Sequence, residues 1–235
     1  MARTPPTTID DALDAFLTDQ RERLSARTMR NYEDVIGLLR HYLNGYGPNT
    51  LDEPDRKRWE EAYEDDEEAF CHLFGPEYIL SEVHEFLGYF MVRKVMAGQD
   101  LLRSAGTVTK KLASWLLEHG YAGEAARDLA VDRGTKASRD LPRAERLANL
   151  LYEQRLATTT ADQTGLRPCD IVGQDLPLQI ERIEPGKLFF SGVDGPLRVS
   201  RQASDLAEPG WDVTITLVRQ RGTWKVLEVG NVYPH

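Results

Sequence analysis

Residues 157–175 read ATTTADQTGLRPCDIVGQD. Threonine, glycine and proline stand where a helix would need recurring apolar residues, so this stretch divides the chain. Before it, apolar residues recur three and four positions apart; after it, they alternate with polar ones between turn signals. The division predicts an α+β protein of two domains: an all-α helical bundle over residues 1–157, a linker over 158–175, and a small all-β domain over 176–235.

Working back from the linker, Leu141, Leu147, Leu150, Leu151 and Tyr152 mark a helix ending near Leu156, and Pro142 favours a start near Asp140. Val108, Leu112, Trp115 and Leu116 mark another from about Thr107 to His119, stopped by Gly120. The widest apolar face, with Ile79, Val83, Phe86, Leu87 and Phe90, predicts a buried helix over Glu77–Ala97. A thinner stripe, with Trp59, Ala62, Tyr63 and Phe70, predicts one between Pro54 and Leu73. At the start, Ile9 to Leu24 and the stretch capped by Ser25 and ended by Asn44-Gly45 form a helical hairpin, with Thr8 as the first N-cap.

Working forward, Pro177–Ile183, Leu188–Ser191, Pro196–Ser200, Asp212–Val218 and Thr223–Val229 read as five short strands. Glu184-Pro185-Gly186-Lys187 and Gln220-Arg221-Gly222 are turns between them. So many strands in so short a stretch predict a closed barrel of the OB or SH3-like type, because closure removes exposed edges. Phe189 or Phe190, Trp211 and Trp224 are assigned to its core.

The net charge of −9 is concentrated in one place. Residues 52–68, DEPDRKRWEEAYEDDEE, hold ten acids against three basic residues, so the rest of the chain carries only −2. That run reads as a solvated face. No stretch approaches the ~20 apolar residues of a membrane span, and MARTPPTTIDD lacks a secretory apolar segment, so a cytoplasmic location without membrane partners is expected. Cys71 and Cys169 lie far apart without metal-ligand spacing and read as reduced thiols.

The helical half carries a resemblance. Ala12-Leu13-Asp14-Ala15-Phe16-Leu17, Leu24-Ser25-Ala26-Arg27-Thr28-Met29-Arg30-Asn31-Tyr32 and Leu38-Leu39-Arg40-His41-Tyr42-Leu43 are similar to the opening hairpin of the SAM-like core-binding domain of tyrosine recombinases and phage integrases. Ser104 to Leu112 and Ser114-Trp115-Leu116 have the character of its second turn and aromatic-rich helix. The likeness covers residues 9–122, with 48–76 as an acidic insertion. It implies duplex DNA as a partner and projects DNA contact onto Arg27, Thr28, Arg30, Thr107, Thr109, Lys110 and Lys111. Helix N-termini, basic side chains and threonine hydroxyls suit phosphate, although Ser25 and Thr28 also read as simple caps.

The family's catalytic domain is not legible. Thr164-Gly165-Leu166-Arg167-Pro168-Cys169-Asp170-Ile171 resembles the segment that carries its first catalytic arginine, but no His-x-x-Arg follows, and Tyr233 succeeds strand-like sequence. One arginine cannot clamp a pentacoordinate phosphate. His41, His72, His84, His119 and His235 are scattered, and no Walker, GxSxG, GxGxxG or HExxH motif occurs. The expectation is therefore a non-catalytic, cofactor-free, DNA-associated accessory protein without a metal site. The alternative is a protein-interaction adaptor working through the acidic segment and a groove of the barrel, whose aromatic and basic residues also suit single-stranded nucleic acid.

Overall fold

The computed structural model describes residues 7–95, 98–158, 171–174 and 176–234. They fall into two compact units, Met1–Ser138 and Arg139–His235. The first is helical; the second is built on a β-sheet.

In the first unit, α1 (Ile9–Arg21) begins at Thr8, whose hydroxyl accepts the Asp11 amide while Asp11 accepts the Thr8 amide, both at 3.1 Å. This capping box satisfies two otherwise orphaned donors. Helix α2 (Ala26–Tyr46) starts at Ser25, which accepts the Thr28 amide. Ile9, Leu13, Phe16 and Leu17 of α1 are buried, as are Tyr32, Val35, Ile36, Leu39 and Leu43 of α2. Phe16 stacks on Tyr32 and meets the edge of Trp115, which belongs to α7 (Gln99–Glu118). The Trp115 indole donates to Asp19 Oδ2 at 2.7 Å, and Arg40 pairs with Asp10 and Asp14.

The segment between α2 and α7 departs from two long helices. The acidic stretch forms α3 (Glu53–Tyr63) and α4 (Ala69–Leu73), parted at Glu64–Glu68, where like charges crowd and no apolar residue offers burial. The apolar run after Pro76 forms a 3-10 turn (Pro76–Tyr78), then α5 (Val83–Glu85), a π-turn (Phe86–Phe90) and α6 (Met91–Arg93). Its apolar face is wide enough to be buried without regular helical phase.

Helix α7 begins at Gln99, before the expected start near Thr107, and ends at Gly120 with φ +75°. The next helix, α8, runs Glu124–Thr158, so Pro142 lies inside it rather than in its first turn. Its residues through Ser138 belong to the first unit and those from Arg139 to the second. A β-carbon built on Gly106 would lie 2.3 Å from the Gly134 carbonyl oxygen and 2.4 Å from the Ser138 amide nitrogen. Helices α7 and α8 therefore cross backbone against backbone, which only glycine permits.

In the second unit the expected OB or SH3-like barrel is replaced by a six-stranded sheet: β1 (Ile171–Val172), β2 (Leu178–Glu184), β3 (Lys187–Phe190), β4 (Leu197–Arg198), β5 (Asp212–Gln220) and β6 (Thr223–Tyr233). The order is β1-β5-β2-β3-β4-β6, with β5 also pairing β6. The pairs are antiparallel except β4 with β6. Strand β5 is the hub: Asp212 and Val213 pair with β2, Leu217 and Val218 with β1, and the opposite edge with β6.

The physical reason lies in the core. Ala144, Leu147 and Leu151 of α8 join Ile180, Leu188, Phe190, Trp211, Ile215 and Trp224 in one cluster, so a helix supplies apolar surface that a small barrel would take from its own strands. Residues 171–172 of the expected linker form β1, and Arg201–Leu206 forms a short helix, α9, capped by Ser200. The remaining linker residues 159–170 and 175, with Arg167 and Cys169 among them, lie outside the described residues, as does His235. Phe190 and both tryptophans are buried, while Phe189 is half-buried beneath the Arg182 guanidinium, 3.5 Å from its ring centre.

A charge network brackets Pro142. Asp140, 3% exposed, accepts Arg139 Nε at 2.7 Å and Arg143 at 3.3 Å. Arg143 also pairs with Glu208, donates to the Leu206 carbonyl at 2.9 Å and lies over Trp211. The ion pairs satisfy the buried carboxylate and tie the helix to the loop before β5.

Candidate nucleic-acid interface

The residues with projected DNA roles separate by environment. Arg27, Thr28 and Arg30 are exposed in the first turns of α2. The Thr28 hydroxyl lies 3.0 Å from that of Ser25, so it belongs to the cap while one side faces solvent. Lys111 is exposed, whereas Lys110 is half-buried with its stem against Gly134.

Thr107 and Thr109 are placed otherwise than at a helix start. Because α7 begins at Gln99, both sit in its interior, where backbone amides are already bonded to preceding carbonyls. Thr107 donates to the Arg103 carbonyl at 3.2 Å, and Thr109, 4% exposed, to that of Ala105 at 2.8 Å. Thr109 is closed to a ligand. Gly106, between the expected start near Thr107 and the observed one at Gln99, marks the crossing with α8.

The arrangement does bring α2 and α7 together at one surface. Arg27 lies 3.7 Å from Asp100 Oδ2, and Arg103 lies 3.6 Å from Asp100 Oδ1. All three side chains are more than half exposed, so the ion pairs are weak and exchangeable. Arg103 is the member that sequence reading missed; its signal was the spacing Arg103, Thr107, Lys111, which puts them on one helical face.

Among the described residues no three of His, Cys, Asp and Glu gather as metal ligands. His72 instead pairs with Asp66 at 2.7 Å. Burial pushes the Cys71 thiol up to about 12, which makes it a poor nucleophile. No described helix is long and apolar enough to cross a membrane.

Compared with known family models, curated proteins and solved structures, the chain matches none. Nothing in those comparisons supports an integrase-like description, so the functional reading rests on the residues themselves.

Proposed function

We propose that the helical unit is a non-catalytic DNA-binding module that engages the duplex backbone through Arg27, Arg30, Arg103 and Lys111. The observation that carries this reading is the meeting of Arg27 of α2 and Arg103 of α7 on Asp100. Two exposed guanidiniums from different elements on one oxygen pair form a ready phosphate clamp. The acidic excess does not lie on these turns but in residues 52–68. Such contacts orient a protein on DNA without reading sequence.

Fluorescence anisotropy of a labelled duplex, titrated across salt concentrations, tests it. Binding should weaken linearly in log salt, and Arg27→Ala, Arg103→Ala and Lys111→Ala should each lower the slope by about 1. Thr109→Ser should leave affinity unchanged. No binding at about 50 mM salt, or unchanged slopes in all three variants, overturns the proposal.

A second reading, a protein-interaction adaptor, is favoured by α3. That helix buries none of its residues, leaves Tyr63 45% exposed beside Trp59, and runs directly into the acidic turn Glu64–Glu68. A basic partner surface would complement it.

A further inference from the structure

We propose that the cleft between the last turns of α2 and the π-turn is a binding site for a small aromatic carboxylate. The cleft has a volume of about 350 Å³ and is lined by Leu38, His41, Tyr46, Phe90, Lys94 and Val95. That volume lies in the range of small-ligand pockets and admits a one- or two-ring acid.

Its floor is aromatic and firmly held. Phe90 is 3% exposed, and its ring lies 6.0 Å from those of His41 and Tyr46 and 5.4 Å from Tyr42. Tyr42 is anchored in turn by its hydroxyl, which donates to the buried Glu82 at 2.8 Å. Burial and the adjacent Glu82 push its acidity constant well above the ordinary phenol range, so it remains a donor.

The π-turn gives the floor its position. The Met91 amide bonds to the Phe86 carbonyl, five residues back, which widens the helix by one residue where Phe90 turns toward α2. Turns of this kind recur at functional sites, because the inserted residue re-aims a side chain at a regular helix's expense.

The mouth is cationic. Lys94 and His41 are exposed, and none of the lining residues is a carboxylate. Lys94 forms no ion pair among the described residues. An aromatic body would pack against Tyr46 and cover Leu38 and Val95, with Phe90 beneath as the floor. Its carboxylate would accept from the Lys94 ammonium, with His41 as a second donor. A cationic head group would meet Lys94 with like charge. None of these residues belongs to the proposed DNA face, so the two ideas stand or fall separately.

Two-dimensional amide NMR on the full chain, titrated with 2-naphthoate, 2-naphthalenemethanol and 2-naphthylmethylammonium, tests the assignment. The acid should bind about tenfold more tightly than the alcohol, the equivalent of one charge-assisted hydrogen bond. Shifts should centre on Leu38, His41, Tyr46 and Phe90. Lys94→Gln, at an exposed position, should abolish the preference for the acid. Leu38→Trp should fill the cleft and remove binding, checked in a variant whose melting curve remains cooperative. Equal affinity for acid and alcohol, a preference that survives Lys94→Gln, or shifts centred elsewhere overturns the proposal.

Discussion

The His72 imidazole lies 2.7 Å from Asp66 Oδ2, and each group shifts the other's titration. The hydrogen bond to Asp66 raises the His72 value above its ordinary one, and the bond to His72 lowers that of Asp66. The contribution from His72 is fully present below the ordinary imidazole value of about 6.5 and is lost as pH rises through the raised folded value. The contribution from Asp66 is present above the ordinary carboxyl value of about 3.9 and is lost as pH falls through the lowered one. The pair thus works best in mildly acidic solution. Proton NMR should show His72 titrating above the free imidazole, and His72→Gln should remove the near-neutral slope in denaturation midpoint against pH. A His72 midpoint at or below the free value would contradict this. No spacing rule revealed the pair: the two residues lie six apart and meet because the chain turns at Glu64–Glu68 before α4.

At the scale of elements, the caps and apolar stripes were legible and the interruptions were not. Thr8 and Ser25 cap α1 and α2 as expected from their chemistry, and Gly120 ends α7 in the left-handed region. Helix α7 runs through Gly106 from Gln99, and Pro142 lies inside α8 rather than in its first turn. Local preference disfavours glycine and proline inside helices, but burial of the surrounding face outweighs that cost. At Gly106 the glycine is required by contact with the Gly134 backbone. Gly106→Ala should therefore destabilise the protein by about 1–3 kcal/mol, as overpacking does, rather than stabilise it by improving helix propensity. Gly37, whose β-carbon would meet nothing within 4 Å, should gain from Gly37→Ala in the same helical setting. Urea denaturation of both variants checks the pair; equal signs would refute the crossing argument. The Arg221-Gly222 turn shows the opposite case. Both residues have positive φ, 49° and 76°, as a two-residue hairpin requires, and the turn was readable from its glycine alone.

Across the whole molecule, two cores have separate memberships. Phe16, Ile36, Phe86 and Leu112 belong to the helical unit; Leu147, Phe190, Ile215 and Trp224 belong to the sheet unit. Phe16→Ala and Leu147→Ala should each cost about 2–5 kcal/mol, and hydrogen exchange should locate the damage. Phe16→Ala should speed exchange in α1, α2 and α7 most, and Leu147→Ala in β2, β5 and β6 most. Indistinguishable exchange maps would argue against two units.

The sequence by itself determined that helices precede strands, which faces of α1 and α2 are apolar, where most strands lie, and that negative charge collects in residues 52–68. These follow from periodicity, capping and composition, which are local properties. Only the tertiary structure decided that the strands form a six-stranded sheet with α8 in its core, that the division falls at Ser138 and Arg139, that Thr109 is closed to ligands, and that Arg27 and Arg103 share Asp100. Each of these depends on which surfaces meet across long separations, where the gain from burying an apolar face overrides the preferences of individual residues.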